Sequence, residues 1–164
     1  MSQLAEIVTI GVHGFDEAGF FDALAAANVD TVCDVRARRG MRGAPYAFAN
    51  SLRLQESLRT HGYAYVHAKE LAPSPTAREA QVAADAATGE AKRGRSVLGA
   101  AFGDVYRREA LAGLDADDIV AALPEITSVV AFLCVERLPE ACHRSLLAEW
   151  LSSALGLPVR HLLP

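Results

Sequence analysis

The chain has 164 residues, a length that suits one domain with a single hydrophobic core. Hydrophobic residues make up 51% of it, which argues against a disordered chain. The formal net charge of −4 argues against a general polyanion binder, so a local cluster of basic residues is more informative here than it would be in a basic protein.

The apolar runs, the first residues and the number of cysteines indicate the cellular compartment and the redox state of the cysteines. No apolar run reaches the roughly 18 residues that a membrane-spanning helix needs, and the first residues show no signal-peptide pattern. We therefore expect a cytoplasmic protein with no membrane partner, while the sequence leaves the oligomeric state open. The odd number of cysteines (Cys33, Cys134 and Cys142) indicates free thiols or a metal site rather than a disulfide framework.

Hydrophobic periodicity predicts alternating strands and helices. Apolar runs rich in β-branched residues predict strands at 7–12, 31–36, 63–67, 128–135 and 158–163. Helical patterns predict helices at 16–28, 49–61, 97–112, 115–123 and 142–155. A further alanine-rich helix is predicted to start at Thr76, which has capping-box spacing to Glu79, and to end at Gly89 or Gly94.

This alternation predicts an α/β fold: a single domain, residues 1–164, with a mostly parallel β-sheet covered by helices. Ligands of such sheets bind beyond the carboxyl ends of the strands. Polar residues follow the predicted strands at His13, in the loop after Arg36, from His67 to Glu70, and from Glu136 to Arg144.

Two pairs of polar side chains share strand faces, because side chains alternate along a strand. Asp34 and Arg36 form one pair, and Cys134 and Glu136 form the other. Buried polar groups need partners or a ligand. Asp34, His67 and His13 are therefore candidate supporting residues, although an Asp34–Arg36 ion pair that only orders the following loop is an alternative.

Arginines crowd the loop that follows the second predicted strand. Arg36, Arg38, Arg39 and Arg42 lie close together there, and arginine pairs well with phosphate or carboxylate groups. They predict an anion site, unless the loop is simply solvated. For a second basic cluster, at Lys92, Arg93 and Arg95, a solvated surface is the favoured interpretation.

The segment Cys142-His143-Arg144 begins the last long predicted helix. A helix start favours an anion or a thiolate, so Cys142 is a candidate nucleophile, His143 a candidate acid or base, and Arg144 a candidate anion clamp. Packing of Cys142 against Leu146 is the alternative. Cys33, in the middle of a strand, is expected to be buried.

A metal site is a further possibility at Cys134, Glu136, Cys142 and His143, whose types suit zinc. However, adjacent residues of a helix point in different directions, so Cys142 and His143 would not share one tetrahedron easily. The spacing also matches no standard zinc pattern. From the sequence we therefore expect no metal and no other cofactor.

The chain resembles a bacterial family, the domain-of-unknown-function 488 family. The resemblance rests on Thr9-Ile10-Gly11, Asp34-Val35-Arg36, Tyr65 with His67, Cys134-Val135-Glu136, Cys142-His143-Arg144 and Val159-Arg160-His161. It implies a shared site in this chain but, as the family name says, no activity.

The residues favour an enzyme that acts on an anionic, phosphate-bearing substrate such as a nucleotide or a nucleic-acid end. The catalytic candidates are Cys134, Glu136, Cys142 and His143, and they are expected to converge with Asp34, Arg36 and Arg144 in one cleft. A nucleotide- or nucleic-acid-binding module without catalysis is one alternative, and a metal- or redox-linked thiol protein is another. The absence of a C-x-x-C pair in the sequence argues against a dithiol oxidoreductase.

Overall fold

A computed structural model of the chain describes residues 3–91 and 94–164. Its strands are β1 (Glu6–Gly11), β2 (Thr31–Asp34), β3 (Ala64–His67), β4 (Val129–Cys134) and β5 (Val159–Leu162). Its α-helices are α1 (Glu17–Ala26), α2 (Ser51–Thr60), α3 (Pro75–Thr88), α4 (Ala100–Tyr106), α5 (Ala116–Ala121) and α6 (His143–Leu155). The predicted α/β class and the predicted order of elements are confirmed.

The five strands form one parallel sheet in the order β3-β2-β4-β1-β5. From β1 the chain moves outward to β2 and β3, and it later returns to insert β4 between β1 and β2. The register pairs Gly11 of β1 with Cys134 of β4, and Asp34 of β2 with Leu133 of β4. The carboxyl ends of the three central strands therefore lie side by side.

Helices cover both faces of the sheet. The first face carries Val8, Ile10, Val32 and Leu133 of the strands, and these pack against α1 and α2. The second face is packed against α4, α5 and α6. Its strand residues are Ile7, Cys33, Val130, Phe132 and Cys134. Cys33 is 1% exposed, so its predicted burial is confirmed. None of the helices in the described part of the chain combines the length and the apolar character needed to cross a bilayer.

Several element boundaries differ from the predicted ones. The N-cap of α3 is Ser74, whose hydroxyl accepts a hydrogen bond from the amide of Ala77, so the predicted start at Thr76 is wrong. Pro75 sets this boundary, because proline fits the first turn of a helix, where its missing amide hydrogen costs nothing. Gly89 and Gly156 are the C-caps of α3 and α6 in the left-handed conformation, so of the two predicted ends of α3 the one at Gly89 is confirmed.

The predicted helix at 97–112 starts later, at Ala100, and changes geometry before it ends. It runs as α4 to Tyr106 and continues as a π-helical turn from Arg107 to Leu111. The π-turn is a local widening that the hydrophobic pattern does not reveal.

Gly11, the last residue of β1, allows a close approach of the loop that follows β4. A β-carbon on Gly11 would lie 1.8 Å from the carbonyl oxygen of Glu136 and 3.0 Å from Nη1 of Arg144. The loop therefore rests directly on the backbone of β1.

We predict that Gly11→Ala lowers the free energy of unfolding by about 2 kcal/mol or more, because the added methyl group must displace backbone. Urea denaturation would measure the loss. Gly113→Ala is the matched control, because a β-carbon on Gly113 meets no atom within 4 Å. Equal stability of the two variants would contradict the close packing of this loop.

Candidate functional site

Four of the predicted site residues meet at the end of β4 and the start of α6. His143 Nδ1 lies 3.6 Å from Cys134 Sγ and 3.7 Å from Cys142 Sγ. The Cys134 thiol donates to Glu136 Oε2 at 3.4 Å. Cys134, Cys142 and His143 are all buried. We call Cys134, Glu136, Cys142 and His143 the thiol cluster.

The backbone at the helix start brings Cys142 and His143 together. Cys142 is the N-cap of α6 and has extended geometry, with φ −137° and ψ 145°, whereas His143 is the first helical residue. Because Cys142 lies outside the helix, its side chain and that of His143 reach the same point. The directional objection to a shared site, which assumed that both residues are helical, therefore does not hold.

The His143 ring is oriented from both sides. Its Nε2 lies 3.3 Å from the carbonyl oxygen of Val35, and a carbonyl only accepts, so Nε2 carries a hydrogen. Nδ1 then faces the two sulfur atoms. The ring of Tyr106 meets the imidazole edge-on, at 5.3 Å between ring centroids, and helps to fix its plane.

Charges within the cluster act unequally on the two thiols. Burial opposes ionisation of Cys142, but its interaction with the Cys134 thiol and the charges of His143 and Arg144 outweigh burial and lower the pKa of Cys142. The interaction with Cys142, together with burial, raises the pKa of Cys134. Burial, with the charge of Cys142, raises the pKa of Glu136 to about 7. Of the two thiols, Cys142 is therefore the one whose ionisation the surroundings favour.

The thiol cluster lines a cleft of about 330 Å³. Apolar side chains of Val82, Leu98 and Phe102 form part of its wall. The cleft is also lined by Arg38, Arg78 and Arg95, the first two of which are exposed. Basic and reactive groups therefore border the same space.

Arg95 has a different environment from the predicted solvated surface. Its side chain is only 7% exposed and forms an ion pair with Asp85 of α3. Its Nη1 also lies 3.8 Å from Glu136 Oε1. This contact depends on the packing of α3 beside the cleft, which no local pattern reveals. Lys92 and Arg93, the other members of that predicted cluster, lie outside the described residues.

Asp34 and Arg36 pair with each other. Arg36 donates from Nε to Asp34 Oδ1 at 2.9 Å and from Nη2 to Oδ2 at 2.8 Å, and its Nη1 donates to the carbonyl of Ala49. Tyr65 also donates to Asp34. The ion pair that orders the loop is thus present. Arg36 borders the cleft, but its guanidinium is directed to these partners and away from the thiol cluster.

Arg144 is also fully engaged within the protein. Its side chain is 0% exposed and donates to the carbonyls of Glu136 at 2.6 Å and Arg137 at 3.1 Å, and to the Thr9 hydroxyl at 3.3 Å. These bonds fix the loop after β4. In this position Arg144 holds the backbone of Glu136 and places a positive charge near Cys142, and its predicted role as an anion clamp stays a prediction.

The other predicted residues occupy separate positions. Arg42 is exposed, and His13 packs against the ring of Tyr46 at 4.9 Å between centroids. Arg39 donates to the hydroxyl of Tyr65, and His67 Nε2 donates to the carbonyl of Arg36. Arg39 and His67 line a second cavity of about 950 Å³, which Arg53 and Lys69 also border. The arginine loop thus divides between two cavities.

A family model described as "Domain of unknown function DUF488" matches residues 18–151. The matched range contains all four members of the thiol cluster and the Asp34–Arg36 pair. No curated protein and no solved structure matches the chain.

We predict that Arg36→Met lowers the free energy of unfolding by about 3–5 kcal/mol, because it leaves the buried carboxylate of Asp34 without its charge partner. The control is Arg53→Met, whose ion pair with Glu17 is exposed and is expected to contribute less than about 1 kcal/mol. Denaturant unfolding of both variants measures the difference, and equal losses would show that the Asp34–Arg36 pair does not anchor the loop.

We also predict an order of alkylation in the reduced, chelator-treated folded protein: Cys142 first, Cys134 next and Cys33 last. The thiolate is the reactive form, and burial raises the pKa of Cys33 to about 12. Mass spectrometry of partly labelled protein reads the order. If Cys142 is labelled only on unfolding, it serves packing alone.

Proposed function

The chain belongs to the family described as Domain of unknown function DUF488, and we propose from the geometry of its site that it is an enzyme acting on an anionic, phosphate-bearing substrate in the cleft over the thiol cluster. Suitable substrates are nucleotides and the ends of nucleic acids. The observation that carries the proposal is the meeting of two thiols, an imidazole and a carboxyl group in a cleft that arginines also line.

Arg38 and Arg78 are the arginines assigned to anion binding. Both are exposed side chains that line the cleft, and neither forms an ion pair with a described residue. Arg36 and Arg144, by contrast, are committed to internal partners. Guanidinium groups pair with phosphate through two parallel hydrogen bonds, and they stand out in a chain of net charge −4.

The thiol cluster is assigned to the chemical step. A thiolate is the form of cysteine that attacks an electrophile or ligates a metal, and Cys142 is the thiol whose pKa its neighbours lower. Glu136 is placed to accept or donate a proton at the cleft. His143 has its Nε2 committed to Val35, so it acts on the sulfur atoms and not directly on substrate.

One observation favours binding without catalysis as a second candidate function. The cavity of about 950 Å³ carries Arg39, Arg53, Lys69 and His67, and a nucleic-acid strand needs basic side chains along its path. A protein of this kind would bind oligonucleotides with a steep salt dependence and would release no product.

The first test measures anion binding. We predict that Arg38→Ala combined with Arg78→Ala weakens the binding of a 5′-nucleotide by about 10-fold or more, because it removes two charge-assisted contacts. Calorimetry measures the dissociation constant. Arg59→Ala is the matched control, an exposed arginine on α2 that does not line the cleft, and equal binding by both variants would contradict the assignment.

The second test measures turnover. Nucleoside monophosphates, diphosphates and triphosphates, and oligonucleotides with 5′ or 3′ phosphates, are incubated with the protein, and products are identified by mass spectrometry. We predict that Cys142→Ser and Glu136→Gln each lower kcat by at least about 100-fold, the usual contribution of a catalytic group. Cys33→Ser is the control thiol. Substrate binding with no product in the whole panel would favour the non-catalytic function.

A further inference from the structure

The ligand atoms of Cys134, Cys142 and His143 have the mutual spacing of a metal site. The two sulfurs and His143 Nδ1 all lie within 4.8 Å of one another, with Nδ1 at 3.6 and 3.7 Å from the sulfurs. Tetrahedral zinc with bonds of about 2.3 Å to sulfur and about 2.0 Å to nitrogen places its sulfur and nitrogen ligands about 3.6 Å apart. The two nitrogen–sulfur distances therefore match those of a tetrahedral zinc site.

The hydrogen bonding of His143 gives independent support. Metal-bound histidine almost always donates its other ring N–H to a carbonyl or carboxylate, which fixes the tautomer and the ring plane. His143 does this with the carbonyl of Val35 at 3.3 Å, so the lone pair of Nδ1 is directed between the two sulfurs.

The burial of the sulfurs points the same way. Cys134 is 5% exposed and Cys142 is 1% exposed, and their polar contacts are the weak, long ones to each other, to Glu136 and to His143. A bound divalent cation would replace these weak contacts with metal–sulfur bonds. Its two positive charges would balance the negative charges of two thiolates. Two sulfurs with an imidazole select zinc over magnesium or calcium, which prefer oxygen ligands.

We propose that Cys134, Cys142 and His143 bind a zinc ion whose fourth position opens to the cleft beside Glu136. Three protein ligands with one open position is the arrangement of catalytic zinc, whereas structural zinc has four protein ligands. Glu136 Oε2 lies 3.4 Å from Cys134 Sγ, close enough to contact a molecule at the open position. A role of this zinc in catalysis rests on the proposed function, but the binding of the metal does not.

The test begins with metal content. Protein purified without chelator is analysed by inductively coupled plasma mass spectrometry, and chelator-treated, reduced protein is titrated with zinc or with cobalt(II). We expect one metal ion per chain, together with the sulfur-to-cobalt charge-transfer absorption and the intense visible bands of tetrahedral cobalt. Less than a tenth of an equivalent in folded protein, or metal that brief dialysis removes, would overturn the proposal.

Variants then locate the site. We expect each of three variants to weaken zinc binding by more than about 100-fold: Cys134→Ser, Cys142→Ser and His143→Gln. Loss of a residue that only hydrogen-bonds to a metal ligand costs about 10–100-fold, and loss of a ligand itself costs more. Cys33→Ser, which removes the thiol outside the cluster, is expected to keep full affinity and an unchanged cobalt spectrum. Unchanged affinity in the Cys142→Ser variant would overturn the proposal.

A measurement on the unaltered protein covers the case in which a variant does not fold. Zinc is expected to protect Cys134 and Cys142 from alkylation by at least about 10-fold while Cys33 is labelled at an unchanged rate, because a bound thiolate is a poorer nucleophile. Equal labelling with and without zinc would overturn the metal site. Zinc binding without turnover would leave the metal site standing and remove the proposed enzyme, whereas thiol-dependent turnover without metal would do the reverse.

Discussion

The guanidinium of Arg144 is fully buried, and its hydrogen bonds join the start of α6 to the loop after β4 and to Thr9 of β1. A buried charge of this kind needs hydrogen-bond partners, and each of the three nitrogen atoms of the guanidinium donates to one. The two carbonyls it holds belong to Glu136 and Arg137, so the position of the Glu136 carboxyl depends on it. Gly11 completes the arrangement, because no side chain separates the loop from β1.

The segment from Asp34 to Arg36 makes hydrogen bonds on both faces of the sheet. Asp34 and Arg36 pair on the face that α1 and α2 cover, where Tyr65 adds a further bond. The carbonyl of Val35, between them, accepts from His143 on the other side. The ion pair therefore fixes a backbone group on which the orientation of His143 depends, although neither charged side chain reaches the thiol cluster.

Much of the fold could be predicted from the sequence, because strand and helix periods and glycine stops are local signals. The shared face of Cys134 and Glu136 and their proximity to Cys142 and His143 also followed from strand-end geometry. The Asp34–Arg36 ion pair was one of two interpretations of the sequence, but the internal partners of Arg144 could not be predicted, because the sequence does not show which carbonyl groups a buried arginine meets. The contact of Arg95 with Glu136 depends on how α3 packs beside the cleft, which is not a local signal. Cys142 has an extended backbone because it is the N-cap of α6, and no sequence pattern predicts a cysteine in that position.

The four members of the thiol cluster lie within ten positions of one another, but the groups that orient them come from the distant amino-terminal part of the chain. Thr9 is 135 positions from Arg144, and Val35 is 108 positions from His143. Closing such long loops is slow and is rewarded only when the central strands have paired. A fragment that contains only the cluster and α6 would therefore lack an organised site, and during synthesis the thiol cluster can be oriented only after the chain has been made from β1 through α6.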